Sequence, residues 1–194
     1  TQRGAPRRQG PIGGADREAA LELDVEEAFH GGERSLQLMD GETGELKRYN
    51  VKIPAGVRSG QRIRLAGEGH PGGGGGPSGD LYLQVLLRGN DRFRLEGDDV
   101  HTSLPVAPWE AALGATVPVR TLEGEVRVKV PPGSSTGRKI RLRGKGYGKL
   151  EGSRGDLYAE INVAVPSALS DEERQLLERW SQLSHFNPRA EESR

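Results

Sequence analysis

The chain has 194 residues, no cysteine, and acidic and basic residues in equal number, 28 of each. Zero cysteine excludes disulfides, thiolate metal sites and cysteine nucleophiles, and zero formal net charge argues against the broad positive footprint on which polyphosphate binding rests. Hydrophobic residues at 33%, aromatics at 5%, 29 glycines and 12 prolines fit a loop-rich, all-β protein with thin cores. No apolar run approaches the ~18 residues of a membrane span, and the N-terminus lacks a signal-peptide h-region, so the reading is a soluble chain; the expected cytoplasmic setting is compatible with zero cysteine but does not follow from it.

Residues 1–16 mix Gly, Pro, Arg and Gln without periodicity and read as a flexible Gly/Arg-rich linker. Ala20 to Val25 then alternates apolar and polar as a half-buried strand does. Glu26–His30 suits one helical turn ended by Gly31-Gly32. Arg34–Met39 alternates again with Leu36 and Leu38 on one face, and Leu46–Ile53 places Tyr49, Val51 and Ile53 on one face. The turn residues Asp40–Gly44 between them predict a hairpin. A short strand is expected at Gln61–Leu65 and a longer one at Asp80–Leu87, separated by a Gly72–Gly76 run that reads as a mobile loop.

A second series of elements begins near Arg92. Val100–Val106 reads as a strand and Pro108–Leu113 as a helical turn. Strands follow near Thr116–Thr121, Glu125–Val130, Lys139–Arg143 and Asp156–Val165. Ser170, with Glu173 three residues on, predicts a capping box opening a helix from Asp171 to about Ser184. Leu176, Leu177, Trp180 and Leu183 share one stripe of it. A helix this short is marginal alone. Its stripe must pack either on its own unit or on a twin across a dimer axis.

The two series are one motif used twice. Residues 51–69 and 128–146 are identical at 10 of 19 positions, at an offset of 77, and each is followed by Gly-Asp-Leu-Tyr, at residues 79–82 and 155–158. Internal repetition at this period predicts two similar units, here 17–90 and 91–167, followed by a helix and tail at 168–194.

Catalytic chemistry finds no foothold. His30, His70, His101 and His185 have no metal-ligand spacing, and no P-loop, HExxH or nucleophile-elbow motif is present. Asp98-Asp99 reads as a turn before it reads as a carboxylate pair. Strand-rich units instead supply edges, to which an extended peptide adds as a further strand. Leu36, Leu38, Tyr49 and Leu83 are candidates for an apolar pocket beside such an edge, with plain core packing as the alternative. A row of basic residues (Arg58, Arg62, Arg64, Arg138, Lys139, Arg141, Arg143) is a candidate nucleic-acid stripe or a solvated strand face.

The paired blocks, with the APWEAALG segment at 107–114 between them, resemble the C-terminal substrate-binding region of DnaJ-type J-domain co-chaperones over about residues 17–184. The resemblance implies two tandem β-sandwich domains and a C-terminal dimerisation helix carrying Leu176, Leu177, Trp180 and Leu183. It also implies a peptide groove in the first domain along the Arg34–Met39 strand, with Leu36 and Leu38 pointing in and Tyr49, Leu83 and Arg34 near it. It implies a non-enzymatic module in protein folding and stress response, without cofactor, whose partners are unfolded polypeptides, a DnaK-type chaperone and a second copy of itself. Curved-DNA binding or a purely structural spacer are the alternatives. The family's cysteine-rich zinc region and its J-domain His-Pro-Asp motif are missing from the sequence, so the chain is expected to be a fragment of the subclass without zinc.

Overall fold

A computed structural model describes residues 10–39, 44–148 and 154–190. Strands dominate, and they form two similar sets.

In the first set, β1 (Arg17–Asp24) is followed by the one-turn helix α1 (Val25–His30) and the hairpin β2 (Gly32–Met39)–β3 (Leu46–Ile53). Asp24 caps α1 by accepting from the Glu27 N–H at 2.7 Å, which satisfies one of the donors a helix start leaves unpaired. Gly31 ends it at φ 65°, and a Cβ there would lie 2.6 Å from the Ile53 carbonyl oxygen, so the turn needs glycine. Then come β4 (Arg62–Leu65) and β5 (Leu81–Arg88). The last strand lies in the middle of a sheet ordered β1-β5-β4. It pairs with β1 in parallel, from Arg17↔Leu81 to Asp24↔Arg88, and with β4 antiparallel.

The second set repeats this plan with β6 (Arg94–Glu96), β7 (Asp99–Val106), α2 (Pro108–Leu113), the hairpin β8 (Ala115–Thr121)–β9 (Gly124–Val130), β10 (Lys139–Leu142) and β11 (Leu157–Val163). Its sheet runs β10-β11-β7-β6, again with the last long strand parallel to the first. In each set the sheet and the hairpin turn their apolar faces to one another. Leu21, Leu23, Leu81, Leu83 and Val85 meet Tyr49, Val51 and Ile53 in the first, and Val100, Leu104, Leu157, Ala159 and Ile161 meet Val117, Val119, Val128 and Val130 in the second. The fold is all-β, two tandem sandwiches followed by a short helix, as the family resemblance implies and the repeat allows.

The residues that recur in both copies have visible work. Asp80 accepts from the Gly67 N–H at 2.8 Å and from Arg64 Nε at 2.6 Å; Asp156 does the same with Gly144 at 2.7 Å and Arg141 at 2.5 Å. The aspartate of Gly-Asp-Leu-Tyr thus ties the turn after the Ile-Arg-Leu strand to the next strand. The backbone donors, foremost, and the arginines hold both carboxyls below the usual carboxylate range.

Two expectations change. The Gly72–Gly76 run is not loose where it meets the N-terminal segment. Ile12 N–H donates to the Gly73 carbonyl at 3.0 Å, Gly14 to Pro77 at 2.8 Å and His70 to Ala15 at 2.9 Å. A Cβ on Gly76 would lie 2.2 Å from the Ile12 carbonyl oxygen, so the glycines here permit close backbone approach. By the same bonds residues 12–15 dock on the loop, and the linker reading does not describe them. Residues 1–9 and 40–43, where the rest of the linker and most of the hairpin turn fall, lie outside the described residues.

The two units meet at a packed joint. The Tyr147 hydroxyl, on a residue 1% exposed, donates to the Val57 carbonyl at 2.5 Å. Its ring meets Phe29 edge-on at 6.2 Å, and the Arg154 guanidinium lies 4.9 Å over the other ring. Arg58 adds a two-pronged ion pair to Asp98 at 2.5 and 3.0 Å.

The final helix, α3 (Asp171–Leu183), has the anticipated capping box, with Ser170 N–H donating to Glu173 at 2.7 Å and Glu173 N–H to the Ser170 hydroxyl at 3.2 Å. No residue of α3 is buried.

Candidate functional site

In the first unit β1 and β2 are both edge strands: β1 pairs only with β5 and β2 only with β3. They face each other across the open side of the sandwich. Arg34, near the start of β2, donates to the Glu22 carbonyl on β1 at 2.8 Å, and Arg17, at the start of β1, donates to the Met39 carbonyl at the end of β2. These two bridges mean that the strands run in opposite directions. They also mean that arginine side chains, not backbone N–H groups, span the gap between the edges. The bridges stand five residues apart on β2, about 17 Å along an extended strand.

Between them the inward faces are apolar. Ala19 and Leu21 come from β1, Leu36 and Leu38 from β2, with Leu21 buried and the other three partly exposed. Arg34 is anchored a second time by Glu27 at 2.8 Å. The result is a slot with Leu36 and Leu38 on one wall, Ala19 and the buried Leu21 opposite, and an arginine at each end. On the other flank, where β3 meets β4, Lys47 pairs with Glu68 at 2.5 Å and lies 5.3 Å from the Tyr49 ring centre. A recess of about 260 Å³ there is lined by Tyr49, Leu65 and their neighbours.

The anticipated pocket residues do not all lie at the same depth. Leu36 and Leu38 are on the slot wall, with Arg34 at its end. Tyr49, opposite Leu36 in the hairpin register, is 5% exposed, and Leu83 is 0% exposed in the middle of β5. These last two are core residues standing behind the wall, because the side-chain period of two puts them on the face that the two layers press together. Arg17 and Ala19 escaped the sequence reading. The signal was present, since alternation from Arg17 continues that of Leu21 and Leu23, but a strand-start arginine has no apolar character to mark it.

The second unit closes the same place. At the offset of 83 set by the α1 and α2 terminal glycines, Gly31 and Gly114, Arg17 and Arg34 become Val100 and Val117, 0% and 6% exposed, and Leu36 becomes Val119 at 2%. On the edge of β7 that corresponds to the bare edge of β1, β6 pairs with the first three residues, Asp99–His101, with Leu95 opposite Val100. The copy buries its side chains here, while β8, like β2, pairs only with its hairpin partner.

Four arginines of the anticipated basic stripe are matched by carboxylates: Arg58 by Asp98, Arg62 by Glu18 at 3.2 Å, Arg64 by Asp80 and Arg141 by Asp156. Asp98 and Asp99 are likewise engaged structurally, Asp99 accepting from the Asp156 N–H at 2.7 Å. Among the described residues no group of three or more His, Asp or Glu could hold a metal ion, and no helix is long and apolar enough to cross a membrane.

On α3, Leu176, Leu177, Trp180 and Leu183 are 67, 41, 52 and 69% exposed. The stripe is apolar and uncovered.

Comparison with known proteins agrees with this architecture. The family model of the DnaJ C terminal domain matches residues 17–166. A Coxiella burnetii protein named curved DNA-binding protein is 44% identical over 186 residues, covering 92% of this chain and 59% of that protein. A Pseudomonas putida protein of the same name is 40% identical over 201 residues, covering 100% of this chain and 62% of its own length. One from Pseudomonas syringae pv. tomato is 39% identical over 186 residues, with 92% and 59% covered. The chain thus spans about three fifths of the length of these relatives. A match of this extent, over both sandwiches and the repeated motif, settles the family: the chain belongs to the DnaJ C-terminal domain family, a chaperone-type module.

Proposed function

We propose that this chain is the client-binding part of a co-chaperone, holding exposed hydrophobic segments of unfolded polypeptides in the β1–β2 slot for transfer to a DnaK-type chaperone. The observation that carries the reading is the contrast between the copies: the first leaves Leu36, Leu38 and two arginines partly exposed between two edge strands, where the second buries valines in the same places and lays β6 over the start of β7. An extended client adds to an edge through main-chain hydrogen bonds, which read no sequence, while its alternate side chains enter the apolar slot. Burying two large apolar side chains contributes roughly 3–6 kcal/mol before association costs. Single-site affinity is therefore weak, on the order of micromolar or poorer, which suits release. Pairing of two chains through α3 supplies the missing strength by avidity. Residues 17–90 form the client-binding domain in this proposal and 91–167 the spacer that carries the helix, and a cytoplasmic, non-enzymatic, cofactor-free setting belongs to it.

Leu36→Ser and Leu38→Ser together are expected to abolish suppression of aggregation of a denatured client while leaving the melting temperature within a few degrees, since both side chains are already partly exposed. Unchanged holding of the client by the double variant refutes the slot.

A second reading rests on the relatives' printed name. Here the physics is less favourable, because phosphate contacts need cations in excess and four arginines of the stripe are neutralised within the fold. A gel shift of curved DNA at two salt concentrations separates the readings. No shift is expected for this chain at physiological salt, and a shift that weakens steeply with salt would favour the DNA function.

A further inference from the structure

The two arginine bridges across the slot are electrostatically unequal. At one end Arg34 is neutralised by Glu27 at 2.8 Å. At the other end Arg17 donates to a backbone carbonyl, that of Met39, and forms no ion pair among the described residues. Among the described residues Glu18, next to Arg17 on β1, pairs with Arg62 at 3.2 Å.

The carbonyl that Arg17 occupies is part of the docking edge. Met39 accepts from the β1 side, so its carbonyl faces away from β3. Backbone groups alternate along a strand, and the polar groups of Gln37 and Ser35 therefore face the same gap. A client strand added to β2 competes with Arg17 for the Met39 carbonyl, and the displaced guanidinium then needs another acceptor. A backbone carbonyl of the client offers a neutral one; a carboxylate offers a charge-assisted one, the stronger of the two.

From this we infer that Arg17 is a specificity-determining residue, and that the slot selects short extended hydrophobic segments carrying an acidic residue next to their leucines, placed at the Arg17 end. The inference rests on the proposed slot. The distance between the bridges sets the length of the segment: about 17 Å accommodates roughly five extended residues, so the acidic side chain belongs at the margin of a five-residue apolar stretch. The second unit has no such preference, since its equivalents are Val100 and Val117.

The test uses labelled peptides with both termini blocked, so that only side chains differ. All share a Leu-x-Leu centre, with Glu, Gln or Lys at the first or the last position, and binding to this chain is read by fluorescence anisotropy. One of the two Glu isomers is expected to bind about three- to fivefold tighter than its Gln counterpart, and the Lys isomer weaker, a gain typical of a partly exposed charge pair. That gain should vanish in Arg17→Gln, persist in Arg34→Gln, survive in part in Arg17→Lys, and fade with added salt in the unmodified chain, a readout independent of whether the variants fold. If Glu and Gln peptides bind alike to the unmodified chain while Leu36→Ser abolishes both, the slot stands and the role of Arg17 is overturned. Binding that is absent for all peptides, or indifferent to Leu36→Ser, overturns the slot and this inference with it.

Discussion

Phe29→Ala is expected to lower the unfolding free energy by about 3–5 kcal/mol, the cost of removing a fully packed aromatic ring. Folded domains of this kind hold only about 5–15 kcal/mol in total. Phe29 is 2% exposed and belongs to α1 of the first unit, yet its ring is covered by Tyr147 and Arg154 of the second. The variant leaves a cavity at the joint, weakens the seat of Tyr147, and lets the units melt separately. Urea unfolding followed by tryptophan fluorescence, which reports on Trp109 and Trp180, and by circular dichroism, which reports on all strands, should change from coincident to separated transitions. A loss under about 1 kcal/mol with curves still coincident would show that Phe29 does not carry the coupling between the units. The same joint sets an alkaline limit. Burial, its largest cause, pushes the Tyr147 hydroxyl up to about 12. The folded state therefore favours the neutral phenol, so this part of the stability is complete below about pH 10, where the unfolded phenol titrates, and is lost as pH rises towards 12.

Leu177→Asp with Trp180→Asp is expected to halve the mass measured by light scattering, from a dimer to a single chain. It should also weaken client holding far more than any single slot substitution. Four large apolar side chains on one stripe of a 13-residue helix, none of them buried, are unusual for a chain with so few apolar residues to spare. The Asp substitutions put charge where apolar side chains meet, and leave the helix itself intact, because its capping box and backbone are untouched. If two grooves on one scaffold grip one client, avidity of about 10²–10⁴ is at stake. An unmodified chain already monomeric at micromolar concentration refutes the pairing.

Much of the frame was legible from residue patterns. Strand alternation placed Leu46–Ile53 to the residue, Pro108–Leu113 read as the helical turn it forms, and Ser170 with Glu173 announced α3. The repeat foretold two units because its glycines answer a backbone need in both. Gly56 and Gly133 lie at φ 70° and 69°, and Gly67 and Gly144 at 74° and 65°. These are local facts, and local chemistry is what a sequence displays. Leu36 and Leu38 were visible on one strand face for the same reason.

Which strands would be neighbours was another matter. The parallel pairing of β1 with β5 joins residues about sixty positions apart, and nothing in either segment names the other. Depth followed from that pairing: Leu83 carries the same apolar side chain as Leu36, but a strand in the middle of a sheet loses both flanks to neighbours, while an edge strand keeps one open. Arg17 acquired its meaning the same way, from β2 lying opposite rather than from its own context. The sequence by itself determined that one motif serves twice, where each copy turns, and that the leucines of the first copy are replaced in the second. Only the tertiary structure decided that the first copy leaves two edges facing one another across an apolar slot and that β6 lies on the start of the corresponding edge in the second, because hydrogen-bonding partners across a sheet are chosen by the packing of the whole unit.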